Sequence, residues 1–112
     1  MKKMYFTVTG MNHRYGTEFL NRGDVVRLVK EPDNEYDKEA IKVEMEGLGT
    51  IGYVANSWQT VVGESYSAGR LYDKIPEVTY GKIIHVLKKE AVGVIDPETI
   101  LDQEIGYEFG DE

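Results

Sequence analysis

Apolar and polar positions along the chain fall into short alternating runs separated by glycine, asparagine and proline. Tyr5 to Gly10, YFTVTG, alternates and ends in glycine, which predicts a strand over Tyr5 to Thr9. The next fourteen residues, MNHRYGTEFLNRGD, have no clean period and contain Asn12, Gly16, Asn21 and Gly23, so a long loop or bulged segment is expected. Val25 to Val29, VVRLV, is a second strand, stopped by Pro32, which has no N–H to donate. Ala40 to Met45 puts Ile41 and Val43 on one face and Lys42 and Glu44 on the other, the mark of a half-buried strand. EGLG then turns the chain, and Thr50 to Val54 returns as the hairpin partner.

The texture changes after Ala55. Asn56 or Ser57 can cap a helix, and Trp58, Val61 and Val62 follow at helical spacing until Gly63 and Gly69 interrupt. A short helix is expected there, followed by a turn or a second short helix. Val78 to Val86 reads as a long strand bent at Gly81, and AVGVI, from Ala91, is a candidate further strand. Five or six strands with one or two short helices predict a mainly β, α+β fold, a small barrel. The barrel is assigned to residues 1–90, with residues 91–112 as an acidic C-terminal extension and a candidate for packing on it.

At 112 residues and 41 % apolar content, the chain suits one domain with one modest core. It has no cysteine, which excludes disulfides and thiolate metal sites and favours a reducing compartment. MKKMYFTVTG is neither a signal peptide nor a membrane span, so a cytoplasmic protein without membrane contact is expected. The formal net charge of −7 argues against phosphate binding when taken alone. Its distribution changes the picture. Residues 1–30 hold six basic and two acidic side chains, whereas Glu90 to Glu112 hold eight acids and no Lys or Arg. The two ends of the chain are different surfaces.

One stretch concentrates the candidate chemistry. Lys30 to Glu44, KEPDNEYDKEAIKVE, carries six carboxylates around Asn34 and Tyr36. Asp33, Glu35, Asp37 and Glu44 match positions one, three, five and twelve of a calcium loop, but position six is Lys38 instead of glycine and a strand replaces the following helix. Gly47 to Gly52, GLGTIG, has dinucleotide-binding spacing, yet a strand and not a helix follows, which makes it a hairpin turn. His13 and His85 are the only histidines, too few for a zinc site without carboxylates from elsewhere. No nucleophile triad is visible, and no carboxylate spacing singles out an acid and a base. No catalytic residue, metal or cofactor is therefore assigned. The remaining constellation is aromatic and basic: His13-Arg14-Tyr15 before the second strand and Tyr36 after it. Tyr15 and Tyr36 either fill the small core or meet at one rim as a stacking platform for unpaired bases.

RLVKEPDNEYDKEAIKVE followed by GTIGYVANS closely resembles the HIRAN domain. The pattern is a strand, an acid-proline pair, N-x-Y-D, two residues, A-I-x-V, a short gap and G-Y. Here these are Glu31-Pro32, Asn34, Tyr36-Asp37, Ala40-Ile41, Val43 and Gly52-Tyr53, with Arg14 and Tyr15 as the upstream aromatic loop. The resemblance runs from about Tyr5 to Val86, and YVANS with SAGRLYDKI looks like the free-standing bacterial or phage type. HIRAN domains are small barrels similar in look to OB folds, so an OB-like or SH3-like barrel is expected. They occur alone or fused to helicase or nuclease domains. The resemblance implies binding of single-stranded DNA at a free 3′ end, in DNA repair or replication, with base contacts from Arg14, Tyr15 and Tyr36 and support from Asn34 and Tyr53. It also implies that Asp37 faces the terminal 3′-hydroxyl, although Asp37 equally suits an Asx bond that fixes its own loop. His13 and Asn56 are additional candidates; Asn56 stands where the family often has a basic residue. Two other functions fit the residues. One is a protein-interaction or regulatory module whose acidic surface, including the C-terminal tail, contacts a basic partner. The other is a metal-dependent nuclease built on Asp33 and Asp37.

Overall fold

The computed structural model describes residues 3–57 and 60–96. Six antiparallel strands close into a barrel: β1 (Met4–Thr9), β2 (Val25–Lys30), β3 (Ile41–Met45), β4 (Gly49–Val54), β5 (Val78–Val86) and β6 (Ala91–Ile95), in spatial order β1-β4-β3-β2-β5-β6. A 3-10 turn, Met11–His13, follows β1, and one short helix, α1 (Ala68–Tyr72), precedes β5. The expected strands are present, and the OB-like barrel holds. AVGVI is the closing strand, paired with β1 from Met4↔Ile95 to Val8↔Ala91 and with β5 on its other side. The boundary set at residue 90 therefore falls in the β5–β6 hairpin, and the barrel extends at least through Ile95. Residues 97–112, the bulk of the acidic extension, lie outside the described residues.

Alternation sets the core. Phe6, Val8, Val26, Leu28, Ile41, Val43, Ile51 and Ile83 point inward and are fully buried. Met11 of the 3-10 turn and Leu71 of α1 join them. The Phe6 ring lies against two glycines. A Cβ on Gly81 would stand 2.8 Å from it, and one on Gly93, the cross-strand partner of Phe6, would overlap it. Gly81 and Gly93 are absent side chains that make room for one large ring.

The helix expected from Asn56 or Ser57 is not found among the described residues. The Ser57 carbonyl accepts from the N–H groups of Thr60 and Val61, a single turn. Val62 then donates its N–H to Thr7 Oγ1 (3.0 Å), and Gly63 takes a φ of 58°. Trp58, on which the helical spacing relied, lies outside the described residues. Contact with β1 outweighs local propensity here. The helix forms one segment later, where Ser67 caps α1 by accepting the Arg70 N–H at 3.3 Å.

On the outer face of the β2–β3 pair, Glu44 is 8 % exposed and bonded to Arg27 through Nε (2.9 Å) and a terminal guanidinium nitrogen (2.6 Å). Lys42 Nζ stands 3.2 Å from its other oxygen. Burial pushes the Glu44 carboxyl up, but the bonds and charges of Arg27 and Lys42 outweigh it and hold it below the usual value. Glu44 thus belongs to the barrel wall, apart from the other acids of its stretch.

The packing of Phe6 predicts strong coupling. Gly93→Ala should destabilise the fold by about 1–3 kcal/mol through overpacking. Phe6→Leu should recover part of that loss in the double variant, although it is destabilising alone. Denaturant unfolding of the four proteins reads the coupling, and strictly additive losses would contradict the contact.

Candidate functional site

The acidic stretch folds as a closed loop between β2 and β3. Glu31 donates its N–H to the Ala40 carbonyl at 2.8 Å and so shuts the loop at its base. Inside it, Asn34 Oδ1 accepts the backbone N–H groups of both Tyr36 and Asp37, each at 2.9 Å. Asp37 Oδ1 accepts the Glu39 N–H at 2.9 Å, an Asx turn, while the Asp37 carbonyl accepts from Ala40. The loop-fixing role of Asp37 is therefore real. Its second oxygen, Oδ2, accepts from Asn56 Nδ2 at 2.8 Å. Asn56 reaches the other way as well, its Oδ1 accepting the Gly69 N–H in α1 at 2.8 Å. Instead of starting a helix of its own, Asn56 ties the end of β4 to both the loop and α1.

Glu31 Oε1 accepts two hydrogen bonds at 2.8 Å, one from Asn34 Nδ2 and one from the Tyr53 hydroxyl. The Asn34 bond, with those of Tyr53 and the charges of Lys42 and Arg14, holds the Glu31 carboxyl below its usual value against the opposing effect of burial. Tyr53 is shifted upward, first by burial and then by its bond to the Glu31 carboxylate and that charge. The two shifts agree: the neutral phenol donates and the carboxylate accepts. Because the Tyr53 proton is committed to Glu31, its oxygen keeps only acceptor capacity.

Gly52 brings the first part of the chain to this loop. A Cβ there would stand 2.6 Å from the Thr9 carbonyl oxygen and about 3 Å from Val8 and Met11 side-chain atoms. Without one, the end of β1 and the 3-10 turn lie directly on β4 beside Tyr53, and Arg14 follows that turn. Arg14, Asn34, Tyr36, Asp37 and Tyr53 line one cleft of about 430 Å³, together with Ala40 and Val54. Five of the six residues expected to contact nucleic acid thus share one concave surface. Tyr36 is 89 % exposed, which removes it from the core.

Tyr15 stands elsewhere. It is 54 % exposed, so it too is no core residue. Its ring meets Phe19 edge-on with centroids 6.1 Å apart, and its hydroxyl donates to the Leu48 carbonyl in the β3–β4 turn at 3.1 Å. It does not line the cleft, so the two tyrosines do not share that surface. His13 is exposed at the end of the 3-10 turn, and Asp33 is exposed on the loop. Among the described residues, no group of three or more histidines and carboxylates stands where it could hold a metal ion. GLGTIG makes the β3–β4 hairpin, with Gly47 and Gly49 at φ 86° and 75°.

Sequence reasoning missed Glu31, which it named only as half of the acid-proline pair. Part of the signal was present, since an acid three residues before an asparagine in a proline turn can hold that amide. Its bond to Tyr53, 22 positions away, needs the fold.

A family model described as HIRAN domain matches residues 1–74. The fold is similar to a crystal structure of a protein from Lactobacillus plantarum, with 24 % identity and a TM-score of 0.54, covering 83 % of this chain and 94 % of that one. It is also similar to the HIRAN domain of human HLTF, with 22 % identity and a TM-score of 0.50, covering 98 % of this chain and 90 % of that one. At these identities the two structures speak to the fold alone. Among curated proteins, none matches.

Removing the shared acceptor should loosen the cleft. Glu31→Ala leaves the Tyr53 hydroxyl and the Asn34 amide without their partner and should cost about 1–3 kcal/mol in denaturant unfolding. The pH dependence has a definite sign. Glu31, depressed when folded, contributes stability above its ordinary value of 4.5 and loses it as pH falls through the folded value. Tyr53, raised when folded, contributes below its ordinary value of 10.0 and loses that as pH rises through the folded value. The stability difference between wild type and Glu31→Gln should therefore shrink on acidification below about pH 4.5.

Proposed function

The chain belongs to the HIRAN domain family, and on that premise we propose that it is a non-catalytic nucleic-acid-binding module that holds single-stranded DNA at a free 3′-hydroxyl end. One observation carries the reading: Arg14, Asn34, Tyr36, Asp37 and Tyr53 converge on one cleft with an exposed aromatic ring on it.

Each member has chemistry suited to a strand end. Tyr36 offers a ring face to the terminal base, and such stacking contributes about 1–3 kcal/mol per base. Arg14 supplies the cation for a phosphate. Asp37 is a poor neighbour for phosphate and a good acceptor for a hydroxyl. The bonds from the Glu39 N–H and the Asn56 amide, one on each oxygen, leave a lone pair on each for a further donor. Loop-fixing and end-reading thus coexist in one carboxylate. A strand continuing through a phosphodiester would press an anion against Asp37. Tyr15, on the neighbouring turn, provides a second exposed ring for the strand as it leaves the cleft.

Titration of 3′-hydroxyl and 3′-phosphate oligonucleotides tests this. The phosphate removes the donor and adds negative charge beside Asp37, so binding should weaken by at least about 1.5–3 kcal/mol, the range for a charged hydrogen bond. Asp37→Asn should weaken the hydroxyl strand and narrow the gap between the two ends. Tyr36→Ala should weaken both ends alike, with folding checked for each variant. Equal affinity of wild type for the two ends would remove the end-reading role. Few cations line the cleft, so the affinity should fall only moderately with salt, and a steep slope would place the strand on another surface.

A further inference from the structure

The Asp37–Asn56 hydrogen bond has the cleft on one side, and Asn56 also lines a second, larger groove of about 970 Å³. That groove runs between the start of β1 and α1. Lys3, Tyr5, Glu64, Tyr66 and Arg70 line it with Asn56. None of these five belongs to the cleft.

Its walls combine two features. The first is aromatic. Tyr5 points outward from β1 and is 42 % exposed, and Tyr66 is held next to it because the Tyr66 N–H donates to the Tyr5 carbonyl at 2.7 Å. The second is cationic. The Arg70 guanidinium stacks over the Tyr66 ring, 4.8 Å from its centroid. Stacking occupies the face of the guanidinium and leaves its N–H edge free to point at an anion in its own plane. Lys3 lies on the same groove, paired at 3.8 Å with Asp96 while its side chain is 58 % exposed, a loose pair that a phosphate can replace. Glu64 is the acid among the described residues that line this groove, against the two cations Lys3 and Arg70.

We propose that this groove is a second ligand site, separate from the cleft, that binds a nucleoside phosphate unit with its base on Tyr5 and its phosphate at Arg70 and Lys3. The chemistry is shared by a free nucleotide and by an internal unit of a polynucleotide. A volume near the top of the usual 300–1,000 Å³ range for ligand sites accommodates either source.

Adenosine 5′-monophosphate, adenosine, inorganic phosphate and a short 3′-phosphorylated oligonucleotide are the probes, titrated into the full chain by calorimetry. Adenosine monophosphate should bind more tightly than adenosine or phosphate alone. Arg70→Gln and Tyr5→Ser, both at exposed positions, should each weaken it about tenfold or more, as loss of one stacked or phosphate-contacting group predicts. Tyr36→Ala should leave it unchanged, since that ring belongs to the cleft. If the oligonucleotide binds more tightly than the mononucleotide and with the same Arg70 and Tyr5 dependence, the source is a polynucleotide; the reverse order assigns a free nucleotide. Two results would overturn the site: no binding of either phosphate-bearing base by folded wild type, or binding that both groove variants leave intact. The outcome is independent of the 3′-end experiment, because the two surfaces respond to different variants.

Discussion

Closure of the barrel rests on one ring meeting two glycines. Phe6 projects from β1 toward Gly81 of β5 and Gly93 of β6, where a methyl group at either position would collide with it. β6 completes the ladder between β1 and β5, so the space for Phe6 and the path of the closing strand are one problem. The ring takes the volume that two small side chains would otherwise fill, in keeping with the close packing of protein interiors. Everything carried on the outside depends on that closure, since the end of β1 leads directly into the 3-10 turn and Arg14.

The crowding of carboxylates in one loop resolves into several separate tasks. Glu44 is locked into the wall by Arg27 and Lys42. Glu31 gathers two donors and orients Asn34 and Tyr53. Asp37 holds its own backbone and takes the Asn56 amide. Asp33, Glu35 and Glu39 are exposed to solvent. A hydrogen bond to a charged acceptor is worth more than one to a neutral acceptor, so carboxylates at Glu31 and Asp37 stiffen a loop that has little apolar material of its own. The rigidity of the cleft is electrostatic, whereas that of the barrel comes from packing.

Much of this was legible in the chain. Period-two alternation identified the strands because each has one buried and one wet face, and the spacing of Glu31 to Tyr53 pointed to the family. Tyr36 and Arg14 reach a common surface only because Gly52 lets β1 settle on β4, a contact between segments some forty residues apart that no local pattern encodes. The helix placed after Asn56 failed for the same kind of reason. Its apolar spacing was genuine, but Thr7 offered Val62 a hydrogen bond across the fold. Tyr15 stands off the cleft because its hydroxyl donates to the Leu48 carbonyl in the β3–β4 turn, a contact between distant residues that local periodicity does not report. Local periodicity reports elements; which polar group meets which depends on tertiary contacts.

The seam between β1 and β4 is short, with register pairs only at Val8↔Val54 and Thr9↔Tyr53. Further along β1, the ladder gives way to the connecting segment, as Ala55 and Tyr66 donate to the Thr7 and Tyr5 carbonyls. Thr7 Oγ1 meets Ser65 there at 2.7 Å, which pins that segment down. An extended chain from a second molecule therefore finds those acceptors already taken and would have to peel the segment away before adding a strand. Sheet edges are where β proteins recruit unwanted copies of themselves. In this barrel, the guard over the weakest seam is the same segment that forms a wall of the Tyr5–Arg70 groove, so any ligand that pried it open would also expose an aggregation-prone edge.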